Sequence, residues 1–301
     1  MKCLYISLFG KFCVTFRSET ELAFESKKVQ ELFFYLLLHA KRPHTREKLA
    51  EILWHDSSPT SSKKYLRHTL WQLQSTLDDV SLEHDMLLVD TEWIQINPNA
   101  IYWLDTQIFE TAYRLAQNTP GSELSPVIVQ ELIDAVLLYK GDLLENWYHE
   151  WCLFERERLQ NLYLTLLFKL MVYCEYAQEY ETGIMYGMKM LKCDQAREQT
   201  YRQLMRLHFL ADDRIGALRQ FERCKLVLQQ ELNVNPAQRT LDLVKQIRQG
   251  VLSEKFSKRT ALFVSPALVS NLNRLKDNLA TAQQQVDHHI HILKDQNHLN
   301  S

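Results

Sequence analysis

A 34-residue echo in the second half of the chain constrains it more than any other feature. Gly183-Ile184 and Ala217-Leu218 stand 34 residues apart, as do Leu170-Met171 and Leu204-Met205, and Leu167 and Tyr201 share that offset. Thirty-four is the tetratricopeptide period: two helices per unit, with small residues where they cross. One such unit cannot bury its apolar face alone, so neighbouring units must stack. From about residue 105 the chain reads as helical, broken at Asn118–Ser122 and again at Lys140-Gly141-Asp142, and Pro236 opens a last helix ending near Gly250. Seven glycines in 301 residues suit a helical chain and leave little for phosphate-cradling loops.

The first hundred residues follow a different pattern. Leu4, Ile6 and Leu8 alternate with their neighbours, Phe12, Val14 and Phe16 do so after Gly10-Lys11, and Leu22 and Phe24 follow, which predicts a small antiparallel sheet. Ser26 is placed to cap a helix whose apolar face is Val29, Leu32, Phe33, Leu36, Leu37 and Ala40. That helix should stop before Pro43. Thr45 can cap a second, short helix with Leu49, Ile52 and Leu53 inward and Trp54 at its end, and Ser57–Ser62 reads as a loop. A third helix carries Leu66, Leu70, Leu73 and Leu77, and the segments Met86–Val89 and Trp93–Ile96 flank Asp90-Thr91-Glu92 as a hairpin. Two helices joined by a turn make a helix-turn-helix, and the hairpin after the second makes it winged. The expected fold class is therefore mainly α: a winged helix-turn-helix (α+β) over residues 1–101 and an α-helical tetratricopeptide-like domain over 102–250.

A linker is expected over residues 251–266. Beyond it Leu268, Leu272, Leu275, Leu279, Ala282, Val286, His289 and Leu293 alternate four and three apart, a heptad pattern over 267–294. Either two copies of the chain pair along this seam, or one amphipathic helix folds back on its own protein. His288, His289, His291 and His298 crowd the same tail, but no cysteine or carboxylate completes a ligand set, so they read as surface histidines and no metal site is expected.

Charge is informative only locally. The net charge is −2, yet Lys27–Leu77 holds nine basic residues against four acidic ones. The six cysteines are scattered without a C-x-x-C pair, as free thiols in a reducing compartment would be. The N-terminus lacks the apolar core of a signal peptide, and no apolar run is long enough to span a bilayer. No G-x-S-x-G, H-E-x-x-H or dinucleotide fingerprint occurs, and the carboxylates are evenly spread. A cytoplasmic, nucleoid-associated protein without catalytic residues or cofactor is expected.

Three stretches carry a family resemblance: FFYLLLHAKRPHTREKLAEILW (33–54), LYKGDLLENWYHEWCLFERERLQNLY (138–163) and ALRQFERCKLVLQQELNVNP (217–236), with WLDTQIFE (103–110) between the domains. The chain resembles the SARP family of bacterial transcriptional activators over about residues 4–249. The head is similar to the OmpR-type winged helix, and the remainder to the bacterial transcriptional activator domain. The resemblance implies binding to repeated promoter sites and recruitment of RNA polymerase. Larger members append an ATPase module, but this chain has no G-x-x-x-x-G-K. It departs from the family in ending its third helix on WQLQSTL (71–77), where a basic run is common. It also carries Asp90-Thr91-Glu92 at the wing tip, where basic residues or glycine are common.

The third helix is the one to enter the major groove of double-stranded DNA. Arg67, His68, Gln72 and Gln74 are expected to face bases, since guanidinium and amide groups can match base edges in two-pronged fashion. Lys63 and Lys64, nearer the helix start, and Arg46 at the N-terminus of the preceding helix are expected on phosphates. Trp71 falls on the polar side of the third helix. A base or methyl contact is one reading, and packing under the wing or against the helical domain is the expected one. Trp147, Tyr148, Trp151 and Phe154 are expected to form a core locking the two domains together. The function so read is a sequence-specific DNA-binding activator that contacts RNA polymerase, acting as a homodimer if the tail pairs. The alternative is a helical-repeat adaptor for a protein partner whose winged helix no longer binds DNA.

Overall fold

The computed structural model describes residues 3–16, 20–78, 80 and 84–252. The expected linker, apart from Val251 and Leu252, and the whole heptad and histidine tail lie outside them. The chain divides into two compact units, residues 1–114 with 135–163, and residues 115–134 with 164–301.

In the first unit the alternating segments form β1 (Leu4–Ser7) and β2 (Cys13–Phe16), antiparallel with Ile6 opposite Val14. The third strand, β3 (Thr20–Glu21), pairs with β2 slightly earlier in the chain than Leu22 and Phe24, although the Leu22 N–H still donates to the Val14 carbonyl at 2.8 Å. α1 (Lys27–Leu38) is capped as the spacing requires, the Ser26 hydroxyl accepting from Val29 N–H. β4 (His44–Thr45) leads into α2 (Arg46–Leu53), whose cap is Thr45, accepting from Lys48 N–H. α3 runs Pro59–Asp78, so only Ser57 and Ser58 of the expected Ser57–Ser62 loop lie outside a helix. The reason is local. Proline lacks the N–H that a first helical residue would leave unused, and Ser58 accepts from Ser61 N–H at 3.3 Å, so the residues that resemble a loop are a cap and an N-terminal turn.

β5 (Leu87–Val89) and β6 (Trp93–Ile96) form the hairpin around Asp90-Thr91-Glu92, and β4 joins the free edge of β6. β7 (Tyr102–Leu104) returns parallel to β1 and completes a sheet of order β3-β2-β1-β7. Three residues are too few to show alternation, and no strand is expected there from sequence. The core between these elements is Leu4, Ile6, Leu8, Val29, Leu32, Phe33, Leu36, Leu49, Leu66, Leu73, Ile94 and Ile96, all fully or almost fully buried.

Asp105 opens α4 (Asp105–Ala116) with its carboxylate buried against β1. Oδ2 accepts from the N–H groups of Leu8 (2.7 Å) and Phe9 (3.0 Å), and Oδ1 from Thr106 N–H (2.7 Å). Burial pushes its pKa up to about 6 against the pull of these three donors. α5 (Pro126–Leu138) and α6 (Glu150–Tyr176) follow, and α4, α5 and α6 each contribute residues to both units. Between α5 and α6 the chain turns back on β1: Gly10 N–H donates to Asp142 and Leu144 N–H to Leu8, both at 2.8 Å. Leu144 and Asn146 have positive φ there, and Arg156 holds the strained turn by donating to the carbonyls of Leu143, Leu144 and Trp147.

Of the four aromatics expected to form one core, two do. Trp147 packs on Phe12 and Phe34, and Trp151 stands edge-on to Tyr35. Tyr148 and Phe154 are instead 75% and 65% exposed. Phe154 lies on the opposite side of α6 from its buried residues Cys152, Leu159 and Tyr163, where nothing covers it among the described residues.

The second unit is the helical repeat. The later part of α6 is followed by α7 (Tyr180–Cys193), α8 (Glu198–Leu210), α9 (Arg214–Val227), a π-helical stretch (Leu228–Leu232) and α10 (Gln238–Gln249), which ends at Gly250 in the left-handed region. The small residues do what the 34-residue period demands. A Cβ on Gly183 would stand 3.0 Å from Cys174 and Leu207, and Ala217 is fully buried among Met205, Phe221, Val244 and Ile247. Arg206 on α8 clasps the Glu175 carboxylate of α6 with two nitrogens, and Gln203 donates to the same carboxylate at 2.6 Å. Burial pushes the Cys174 and Cys224 thiols up to about 12, so both are unreactive packing groups.

Two outcomes follow. A Cβ at Gly187 would lie 2.5 Å from Leu204 and 2.7 Å from Met171, so Gly187→Val should lower stability by roughly 1–3 kcal/mol, seen as a fall in urea midpoint. Asp105 holds its proton more tightly folded than unfolded, so its contribution is fully present below about pH 4 and is lost as pH rises through about 6. The cost of Asp105→Ala should therefore be larger at pH 5 than at pH 8, by roughly 1–2 kcal/mol, when the two proteins are unfolded in urea side by side.

Candidate nucleic-acid interface

α3 has twenty residues, about 30 Å of helix, and two unlike faces. Ser62, Leu66, Thr69, Leu70, Leu73, Thr76 and Leu77 are buried against α1 and α2. Lys63, Lys64, Arg67, His68, Trp71 and Gln74 are exposed on the other side. Six of the seven residues singled out from sequence thus lie on α3, and the seventh, Arg46, stands beside its N-terminal half. Gln72 lies at the edge of the exposed face, half-buried, its amide donating to Glu25 at 2.5 Å.

Arg46 binds the wing rather than standing free. Its backbone N–H donates to the Glu92 carbonyl and its Nε to the Asp90 carbonyl, both at 2.9 Å. With Lys48 N–H on the Thr45 hydroxyl, the start of α2 already has acceptors for two of its amides. Arg46, Lys63 and Arg67 line a cleft of about 580 Å³ between α2, α3 and the hairpin, and Glu47 and Glu92 share its walls. Lys63 Nζ meets Glu47 Oε1 at 2.6 Å, and that hydrogen bond and charge hold the Glu47 carboxyl below its ordinary pKa. Sequence alone counts Glu47 among the four acids of Lys27–Leu77 and does not pair it with Lys63. Sixteen residues separate it from Lys63, and only the crossing of α2 and α3 brings the two together. At the wing tip the Thr91 N–H and hydroxyl donate to Asp90 Oδ1, which lowers the Asp90 pKa and keeps the tip anionic.

Trp71 does not pack as expected. It is 62% exposed, at the middle of the exposed face and opposite the leucine stripe, rather than packed under the wing. Its one described ring neighbour is His68, one turn back, nearly parallel at 18° with centroids 6.1 Å apart.

Among the described residues, no three histidine, cysteine or acidic side chains gather where a metal ion could sit, and no helix is long and apolar enough to cross a membrane.

A sheet, three helices and a hairpin, followed by stacked helical pairs, define a winged-helix head with a helical-repeat domain. Residues 104–248 match the bacterial transcriptional activator domain. Solved structures similar to this chain include Mycobacterium tuberculosis EmbR in complex with a low-affinity phosphopeptide. The TM-score is 0.65 at 17% identity, over 84% of this chain and 67% of that one. No curated protein matches the chain. Residues 104–248 thus form a bacterial transcriptional activator domain, and the chain as a whole shares the fold of that structural neighbour.

Because Trp71 is largely in water, Trp71→Ala should shift stability by less than about 0.5 kcal/mol. Trp151→Phe should cost more, since it removes the indole N–H that donates to the buried Glu31 carboxylate at 3.3 Å. Paired urea titrations of the two variants check both.

Proposed function

We propose that the protein activates transcription by gripping double-stranded promoter DNA with α3 and presenting its helical domain to RNA polymerase. The carrying observation is the exposed row of Lys63, Lys64, Arg67 and His68 opposite the buried stripe of α3, in a helix-turn-helix followed by a hairpin. Residues 1–101 act as the reader and residues 102–250 as the activator domain. Arg67, His68 and Gln74 meet base edges, and Gln72 does so by exchanging Glu25 for a base. Lys63, Lys64 and Arg46 hold phosphates around the cleft. The protein works on the nucleoid in the cytoplasm, and pairing through residues 267–294 would set two heads on a repeated site.

A second reading has its own support: Glu47 occupies Lys63 and the wing tip is acidic, as suits an adaptor that has given up DNA. Fluorescence anisotropy on duplex from the protein's own upstream region and on random genomic fragments separates the two. A reader binds saturably, loses about one log unit of affinity per log unit of salt for each phosphate contact, and loses binding in a Lys63→Ala, Lys64→Ala, Arg67→Ala triple variant. A folded protein that binds none of these duplexes is an adaptor.

A further inference from the structure

We propose that Trp71 is a specificity-determining residue that reads the C5-methyl group of thymine in the major groove. The proposal rests on α3 being the DNA-reading helix. Trp71 is the large apolar side chain at the centre of a polar face that carries Lys63, Lys64, Arg67, His68 and Gln74, with Ser75 and Asp78 toward its C-terminal end, and it lies one turn beyond Arg67 and two beyond Lys64. An indole left 62% in water does nothing for the core of its own unit. The His68 ring lies one turn back and nearly parallel to it, at 18° with centroids 6.1 Å apart.

The chemistry of the groove selects the target. In a closed duplex the base faces are stacked on one another, so a side chain on a groove-borne helix meets base edges. The apolar group on those edges is the thymine methyl, and thymine adds an O4 acceptor beside it. Indole offers an apolar surface and one N–H donor with no acceptor. It therefore suits thymine and is mismatched to cytosine, whose edge carries an amino donor and no methyl. Arg67, one turn away, supplies the matching preference for guanine, so the pair would read a mixed step.

The test uses the full chain and its Trp71→Ala variant on duplexes selected by each from a random 30-base-pair library. Wild type should enrich a thymine that the variant ceases to enrich. Replacing that thymine by deoxyuridine, which removes only the methyl, should weaken wild-type binding about fourfold, the equivalent of one buried methylene. The variant should bind the two duplexes equally, and 5-methylcytosine at that position should recover part of the wild-type affinity. Equal thymine-to-uracil ratios in both proteins, or no methyl-sensitive position, would overturn the assignment while leaving the DNA reader intact. Failure of wild type to select any duplex would remove the reader and this inference with it.

Discussion

The buried carboxylate of Glu31 is the constraint on which the head depends. It lies in the middle of α1 at 2% exposure, where an unpaired charge would cost several kcal/mol. Two donors and a histidine ring surround it, from α1 itself and from the start of α6. Lys28 Nζ approaches at 2.7 Å from the turn before, Trp151 Nε1 at 3.3 Å from α6, and His149 Nδ1 lies 3.3 Å away. Lys28 also donates to the Leu53 carbonyl at the end of α2 and lies over the Trp54 ring. One acid therefore fixes α1 against the end of α2 and the start of α6. The position of α2 in turn sets α3, so the exposed face of α3 is oriented by a network far from it.

The stretch Leu138–Tyr163, the most distinctive in the sequence, has a structural explanation. Gly141 approaches the Gly10 backbone so closely that a Cβ would stand 3.2 Å from the Gly10 Cα. Leu143 and Leu144 are fully buried, Trp147 and Trp151 seat on α1, and Arg156 takes up three carbonyls of the turn. The strained backbone at Leu144 and Asn146 persists because those bonds over-determine it.

Periodic features were legible in the sequence. Ser26 and Thr45 cap where expected, the hairpin forms around Asp90-Thr91-Glu92, and the 34-residue offset becomes stacked helices with Gly183 and Ala217 at the crossings. Features that depend on long-range pairing were not. β4 and β7 are too short to alternate and exist only through their partners, β6 and β1. The start of α3 hid in serines and a proline that serve loops and caps alike. At the candidate site, helical phase sufficed to put Lys63, Lys64, Arg67, His68 and Gln74 on one face. The engagement of Lys63 by Glu47, of Gln72 by Glu25 and of Arg46 by the wing was invisible, because each partner lies 16 to 47 residues away in sequence. The helical phase of Trp71 puts it on the polar side, and its 62% exposure departs only from the expectation, drawn from the usual burial of aromatics, that another element would cover it there.

The acids standing among the basic residues of the head bear on how a regulator of this kind would search a chromosome. A head with an unopposed cationic surface adheres to any phosphate backbone, and most copies would be held on unrelated DNA. If α3 reads DNA as proposed, Glu47 on Lys63 and a negative wing tip would mute generic adhesion and leave base-edge contacts a larger share of what remains. Genomes offer roughly 10⁶–10⁹ competing positions, so occupancy follows the ratio of specific to generic affinity more than either value alone. A weakly adhesive head keeps more molecules in free solution, and a small cellular pool could then saturate a few promoters.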